Sequence, residues 1–173
     1  MAWVYLGLGS NRDRTQHILA GVRALHERFA SADRPLRVSR VFESAAVGFD
    51  GHDFFNTVVE LQTDLALVEV VQTCKAIEQA HGHPSDVPKY SPRTLDIDVL
   101  LYDDLVCDSP IVLPRGEVLK NAFVLWPLAE LVPELKHPQT GVSFAQHWQS
   151  YASEQRLKPL EFAFEPLPYL HTP

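Results

Sequence analysis

The run Leu95-Asp96-Ile97-Asp98-Val99-Leu100-Leu101-Tyr102 constrains this 173-residue chain more than any other segment. A proline-containing turn, Tyr90-Ser91-Pro92, leads into an apolar stretch that reads as a buried strand, and two aspartates interrupt it at i and i+2. Side chains alternate faces along a strand. Asp96 and Asp98 therefore point the same way, about 7 Å apart at Cα, with Leu95, Ile97 and Val99 on the opposite face. Carboxylates on a core strand need a cation or a metal beside them. A hard divalent cation, Mg²⁺ foremost, satisfies both most simply, and Mg²⁺ held by one or two carboxylates commonly also binds substrate phosphates. Phosphoryl chemistry is thus the leading expectation, with salt bridges to arginines as the structural alternative.

The rest of the composition narrows the class. A chain of this length, 46% hydrophobic and 21% charged, reads as one globular domain. Its net charge of −7 argues against a broad nucleic-acid or anionic-membrane surface, while leaving room for a local basic pocket. Cys74 and Cys107 form neither a disulfide framework nor a zinc pattern, and the eight histidines show no metal-binding spacing. Charged residues from Arg12 onward leave no signal-peptide core, and no apolar run approaches membrane-spanning length. A cytoplasmic protein acting on small molecules is expected, as monomer or homodimer.

Along the chain, Trp3 to Gly9 reads as a first buried strand ending in a tight turn, and Asp13 is placed to cap a helix carrying Ile18, Val22, Leu25 and Phe29 on one face. Leu36 to Glu43 and Phe54 to Thr63 read as strands joined by the irregular stretch Ala45 to Asp53. Asp64 is expected to start a second helix, with Leu67, Val70, Val71, Cys74 and Ile77 on one stripe and Gly82 as its stop. His83 to Ser91 reads as a polar loop, Ile111 to Pro114 as a short edge strand, and Ala122 to Leu131 and Ser143 to Tyr151 as helices. Gly7-Leu8-Gly9-Ser10 is too little for a glycine-rich phosphate loop. The order implies an α+β fold, a ferredoxin-like core rather than a doubly wound one, over residues 1–155. Residues 156–173 form a proline- and aromatic-rich tail whose alternating Phe162 and Phe164 could add a strand to its own domain or to a second subunit.

Four pieces taken together, Gly9-Ser10-Asn11, Phe55-Asn56-Thr57-Val58-Val59, Pro92-Arg93-Thr94-Leu95-Asp96-Ile97-Asp98 and Ala122-Phe123-Val124-Leu125-Trp126-Pro127-Leu128, resemble the 6-hydroxymethyl-7,8-dihydropterin pyrophosphokinase family of folate biosynthesis. The resemblance implies a three-layer α/β/α sandwich on a mainly antiparallel sheet. It also implies transfer of a pyrophosphoryl group from ATP to the pterin hydroxymethyl oxygen, with release of AMP. Two Mg²⁺ ions would lie on Asp96 and Asp98. Arg93 would act with them as a catalytic residue, and Lys89, Arg93, Arg115 and Lys120 would meet the ATP phosphates. The pterin would stack between Phe54 and Phe123, with Asn56 on its edge, Val47 beside it and Tyr90 closing over it. Glu78 matches a family glutamate without an assigned role. Where the family usually has H-P-R the chain reads Arg115-Gly116-Glu117, and Asn121 stands where it has an arginine two residues before the stacking phenylalanine. These departures keep two alternatives open: a non-catalytic pterin- or nucleotide-binding paralogue, and a pyrophosphokinase shifted to a modified pterin.

Overall fold

The computed structural model of the chain describes residues 1–45, 53–81, 94–153 and 155–173. Its elements are β1 (Ala2–Ser10), α1 (Arg14–Phe29), β2 (Leu36–Val38), β3 (Phe42–Ser44), β4 (Phe54–Thr63), α2 (Leu67–Ala80), β5 (Asp96–Tyr102), α3 (Glu117–Lys120), α4 (Ala122–Leu131), α5 (Phe144–Gln149), β6 (Leu157–Pro159) and β7 (Leu170–His171). The sheet runs β5-β1-β4-β2-β7, with β3 also on β4 and β6 on β3. Among the described residues its pairings are antiparallel except that of β2 with β7.

β2 and β3 follow one another along the same edge of β4, Val38 opposite Val59 and Phe42 opposite Asn56. The expected single strand from Leu36 to Glu43 is therefore two. Ser39 makes the break: its hydroxyl accepts the Val58 N–H at 2.9 Å while its own N–H bonds the Val58 carbonyl at 2.9 Å. A serine side chain thus replaces one ladder acceptor. Counted as one interrupted strand, β2/β3 completes the βαββαβ order of a ferredoxin-like fold.

Each sheet face buries its own core. Ile18, Val22, Leu25 and Phe29 of α1 and Leu67, Val70 and Cys74 of α2 pack on Val4, Leu6, Leu8, Val59, Leu61, Ile97 and Val99. On the other face Val118, Val124, Leu125, Leu128 and Phe144 from α3, α4 and α5 cover Tyr5, Val58, Leu100 and Leu101. The result is three layers, α/β/α. α1 lies close on the sheet because residue 21 is glycine; a Cβ there would come within 3.1 Å of Leu8 and Leu95 side-chain carbons. A bulge in β5 lets both Leu100 and Leu101 enter the α4-side core, since Leu6 faces Val99 and Tyr5 faces Leu101.

Other boundaries moved for local reasons. Asp13 occupies the N-cap place of α1 in a left-handed conformation with φ 45°, and no side-chain cap bond forms; only its carbonyl joins the helix, accepting the His17 N–H at 3.0 Å as an N-cap carbonyl ordinarily does. α2 starts after Ala66, not at Asp64, whose carboxylate is taken by Arg34 at 2.8 Å. Ile111 to Pro114 contributes one bridge, Leu113 with Cys107, rather than a strand. The expected stop at Gly82 lies outside the described residues. The tail returns to this same sheet: β6 pairs with β3 and β7 with β2, while Phe162 and Phe164 between them pack against the α1-side core.

Glu60 is 6% exposed on the sheet yet carries three charge-assisted or hydroxyl bonds, from Tyr5 Oη at 2.6 Å and from Arg37 Nε and Nη2 at 2.7 and 3.0 Å. Burial, and then the Glu60 carboxylate, push the Tyr5 hydroxyl pKa far up, so Tyr5 stays a donor. Removing the cation strands a buried charge. Arg37→Met is expected to cost about 3 kcal/mol in urea denaturation. A second expectation concerns pH. His137 is 3% exposed and its Nδ1 accepts the N–H groups of Gln139 and Thr140 at 3.2 and 3.3 Å. Burial, with His147 adding to it, lowers the His137 pKa below its ordinary value. The neutral ring's contribution to stability is therefore complete above about pH 6.5 and is lost as pH falls through the lower folded value. His137→Asn keeps an acceptor without a titrating ring, so its urea midpoint should fall less between pH 7 and pH 5 than that of the wild type.

Candidate active site

Strand register assembles the site on the α4-covered face of the sheet. Asp96 lies beside Gly9, and Gly9 beside Asn56; one step along, Asp98 lies beside Gly7, and Gly7 beside Val58. Phe54, two residues before Asn56, shares this face. Strands are spaced about 4.8 Å apart, so about 10 Å of side-chain-free backbone separates Asp96 from Asn56. Both glycines serve that floor. A Cβ on Gly9 would come within 3.2 Å of Asn56 Oδ1 and 3.7 Å of the Phe54 ring, and one on Gly7 within 3.4 Å of Leu100. The Gly-x-Gly pattern at strand spacing was visible in the sequence, but only the pairing shows which groups the glycines separate.

The aspartates are half-buried, and Asp98 keeps 41% of its side chain exposed. The expectation of a fully buried core strand is corrected: among the described residues β5 pairs with β1 alone and forms the sheet edge. Ile97, Val99 and Leu95 face the opposite core as the alternation required. Two groups frame the acidic end. Arg115 Nη2 lies 3.6 Å from Asp98 Oδ1 and Arg115 Nε 3.2 Å from Glu117 Oε2, while the Arg115 N–H bonds the Leu100 carbonyl at 3.0 Å. Burial works against the Arg115 charge, but Asp98, Glu117 and Asp96 outweigh it and raise its pKa above the usual arginine range. On the other side Glu78, in the last turn of α2, accepts the Ile97 N–H through Oε2 at 2.9 Å. That N–H lies between the two aspartates on the open edge of β5, so Glu78 pins the strand where they stand. The crowded negative charge registers on Cys74, whose thiol is pushed up to about 12 by burial first and then by Glu78 and Asp98. Sequence alone left Glu78 without a role because its partner is 19 residues away on another element.

At the far end of the glycine floor Asn56 is buried and donates from Nδ2 to Ser44 Oγ at 2.7 Å. Phe123, half-buried in the first turn of α4, shares a cavity of about 70 Å³ with Ser44, Ala45 and Ala122. Pro127 lies inside this helix. It has no N–H to return to the Phe123 carbonyl, which opens the ladder at this turn. Ser10 is fully buried and donates to the Thr94 and Arg12 carbonyls, tying the end of β1 to the start of β5. Lys120 ends α3 with an exposed side chain. Asp96, Asp98, Arg115, Phe54, Asn56 and Phe123 are thus brought around one face. Val47, Lys89, Tyr90 and Arg93 lie outside the described residues.

Comparison with known proteins gives this arrangement a context. The sequence model of the 7,8-dihydro-6-hydroxymethylpterin-pyrophosphokinase (HPPK) family matches residues 5–133. A protein of Aquifex aeolicus named 2-amino-4-hydroxy-6-hydroxymethyldihydropteridine pyrophosphokinase is 35% identical over 162 residues, covering 92% of this chain and 96% of that one. Its namesake in Pseudomonas aeruginosa is 36% identical over 140 residues, covering 78% and 83%. Among solved structures, an HPPK-DHPS chain in complex with substrates superposes with a TM-score of 0.67 at 12% identity over 87% of this chain. Wild-type Plasmodium falciparum HPPK-DHPS with SDX-DHP gives 0.64 at 14% identity. This chain spans 43% and 44% of the length of those two, and the likeness is one of fold.

The Glu78 contact yields a stability test independent of any ligand. Glu78→Gln retains an acceptor for the Ile97 N–H, whereas Glu78→Leu removes it. The leucine variant is expected to lose about 1–3 kcal/mol in urea denaturation, and the glutamine variant well under half of that. Equal losses would mean that the bond does not hold β5.

Proposed function

The chain belongs to the 7,8-dihydro-6-hydroxymethylpterin-pyrophosphokinase family, and on that premise we propose that it moves a diphosphate group from ATP to the hydroxymethyl oxygen of 6-hydroxymethyl-7,8-dihydropterin, releasing AMP. The observation that carries the proposal is the single sheet face on which an acidic pair and an amide-and-aromatic end stand at opposite sides of a bare glycine floor. A flat heteroaromatic ring suits the second end and a polyphosphate the first. The floor between them lets the two substrates meet.

The donor set at the acidic end fits Mg²⁺: two hard carboxylates, two residues apart, on one face of an edge strand and partly open to solvent. Asp96 and Asp98 would hold two such ions, which when bound neutralise phosphate charge and lower the pKa of the attacking hydroxyl. The chain's own groups do the positioning. Glu78 keeps the two aspartates on a fixed backbone, and Arg115, already charged beside Asp98, presents a planar guanidinium to phosphate oxygens. Lys120, Lys89 and Arg93 complete the proposed ATP-binding set, with Arg93 also placed in catalysis. Phe54 and Phe123 supply stacking surfaces, with offset stacking worth about 0.5–1.5 kcal/mol per pair. Asn56, its amide already directed by Ser44, offers Oδ1 to the ring edge, and Val47 and Tyr90 belong to the same pterin subsite. Holding two substrates in line accounts for catalysis without a covalent enzyme intermediate.

A cytoplasmic setting is part of the proposal. It is supported by two free cysteines and, among the described residues, by the lack of any helix long and apolar enough to cross a membrane.

Incubation with ATP, Mg²⁺ and the pterin should give AMP and pterin diphosphate in equal amounts; pterin binding without AMP would leave a binding protein instead. Asp96→Asn and Asp98→Asn should each lower turnover by at least about a hundredfold, on the scale of a lost charge clamp. Their circular dichroism should match that of the wild type and their thermal midpoints should stay close to it, because relief of carboxylate repulsion offsets the contact with Arg115 that Asp98→Asn gives up. Near-normal turnover in either variant would reject the metal assignment.

A further inference from the structure

Gln155, the last residue before the C-terminal tail, reaches the aromatic end of the site with its side chain. Gln155 Oε1 accepts the Ala122 N–H at 2.8 Å, and Gln155 Nε2 donates to Asn121 Oδ1 at 3.1 Å. Ala122 is the first residue of α4, and its N–H is one of those that a helix start leaves without an intrahelical partner. Asn121 stands at the N-cap and has a side chain suited to capping, yet forms no cap bond of its own. Its amide oxygen is turned to Gln155 instead. Gln155 therefore takes over the capping role from a residue 34 positions away. Directly after it, β6 pairs with β3, Leu157 opposite Ser44, the residue whose hydroxyl receives the Asn56 amide. Gln155 and Leu157 line the cavity of about 70 Å³ that also touches Phe123, Ala122 and Ser44. That volume falls far short of the roughly 300 Å³ at which small-molecule sites begin, so the recess is a junction between tail and helix.

We propose that Gln155 is a positioning residue for the pterin subsite, fixing the first turn of α4 and with it the ring of Phe123, so that this junction ahead of the tail sets affinity for the pterin. The inference rests on the assignment of Phe123 to the pterin. The family match ends at residue 133, and the part of Gln155 in the site follows from its own contacts. Gln155 acts through the helix and Phe123, without touching ATP.

The experiment is a pair of binding titrations on the full chain with Mg²⁺: 6-hydroxymethyl-7,8-dihydropterin in the presence of α,β-methylene-ATP, whose α–β bridge cannot be cleaved, and α,β-methylene-ATP alone. Gln155→Leu keeps the side chain's bulk and loses both bonds. Its pterin Kd is expected to rise about fivefold, about 1 kcal/mol, with the nucleotide Kd within about twofold of wild type. Gln155→Glu retains the acceptor for the Ala122 N–H, and the Asn121 amide can turn its NH₂ group to the new carboxylate, so this variant should restore wild-type pterin binding. An unchanged pterin Kd in Gln155→Leu overturns the inference, as does equal weakening of both ligands, which would mark general loss of structure. Phe123→Ala separates the two levels. If it binds pterin as the wild type does, the pterin assignment itself fails; if it loses binding while Gln155→Leu does not, only the role of Gln155 fails.

Discussion

Everything at this site depends on the antiparallel register of β1 between β4 and β5. That pairing sets Gly9 between Asp96 and Asn56 and Gly7 between Asp98 and Val58. A slip by one residue would send both aspartates into the apolar layer beneath α1 and α2 and bring Ile97 and Val99 to the open face. Burial of Ile97, Val99, Leu6 and Leu8 on that layer holds the register, at about 25 cal/mol per Å² of apolar surface removed from water. The hydrophobic pattern and the functional pattern are thus the same alternation seen from two sides.

The acidic end shows how an edge strand can carry charge without burying it. Asp98 stays partly solvated, Arg115 lies against it, and Glu78 takes up the one strand N–H between the carboxylates. A central strand would have had no room for this. Its outward N–H would have bonded a further strand, and the carboxylates would have lost solvent on one more side. Among the described residues β5 lies at the sheet edge, which leaves one side of the carboxylates open while Glu78 restores the rigidity that an edge strand lacks. At the opposite end rigidity comes from Gln155 and the tail that follows it, which close on the start of α4 and on β3. Three separate segments, α2, the stretch around Arg115 and the tail, each brace one part of a face that the sheet itself keeps bare.

Long, strongly patterned elements were legible in the sequence for physical reasons. Phe54–Thr63 and Ala122–Leu131 have the bounds the apolar pattern suggested, because each buries a continuous surface that few other arrangements could hide. Short elements were less legible, although the helix expected over Ser143 to Tyr151 forms as Phe144–Gln149. Ser39 splits the third strand only because its hydroxyl meets the Val58 N–H, and β6 and β7 are strands only because β3 and β2 present free edges to them. Asp13 was expected to cap α1 and Asp64 to start α2, yet the Asp13 side chain makes no cap bond and the Asp64 carboxylate pairs with Arg34 ahead of a helix that starts later.

By itself the sequence determined that Asp96 and Asp98 share a face, that Asn56 and Phe54 share a face, and that the motifs around them resemble those of the pyrophosphokinases. Those statements need only the two-residue period of a strand and the order of residues along the chain. The tertiary structure decided that the two faces are one face, that glycine backbone lies between them, and that Glu78 and Gln155 brace the opposite ends. The reason is one of range. Alternation is local and can be read from neighbours, whereas register and the bracing contacts join residues far apart in the chain, as Gly9 with Asp96 and Glu78 with Ile97, and only the folded sheet fixes which of them meet.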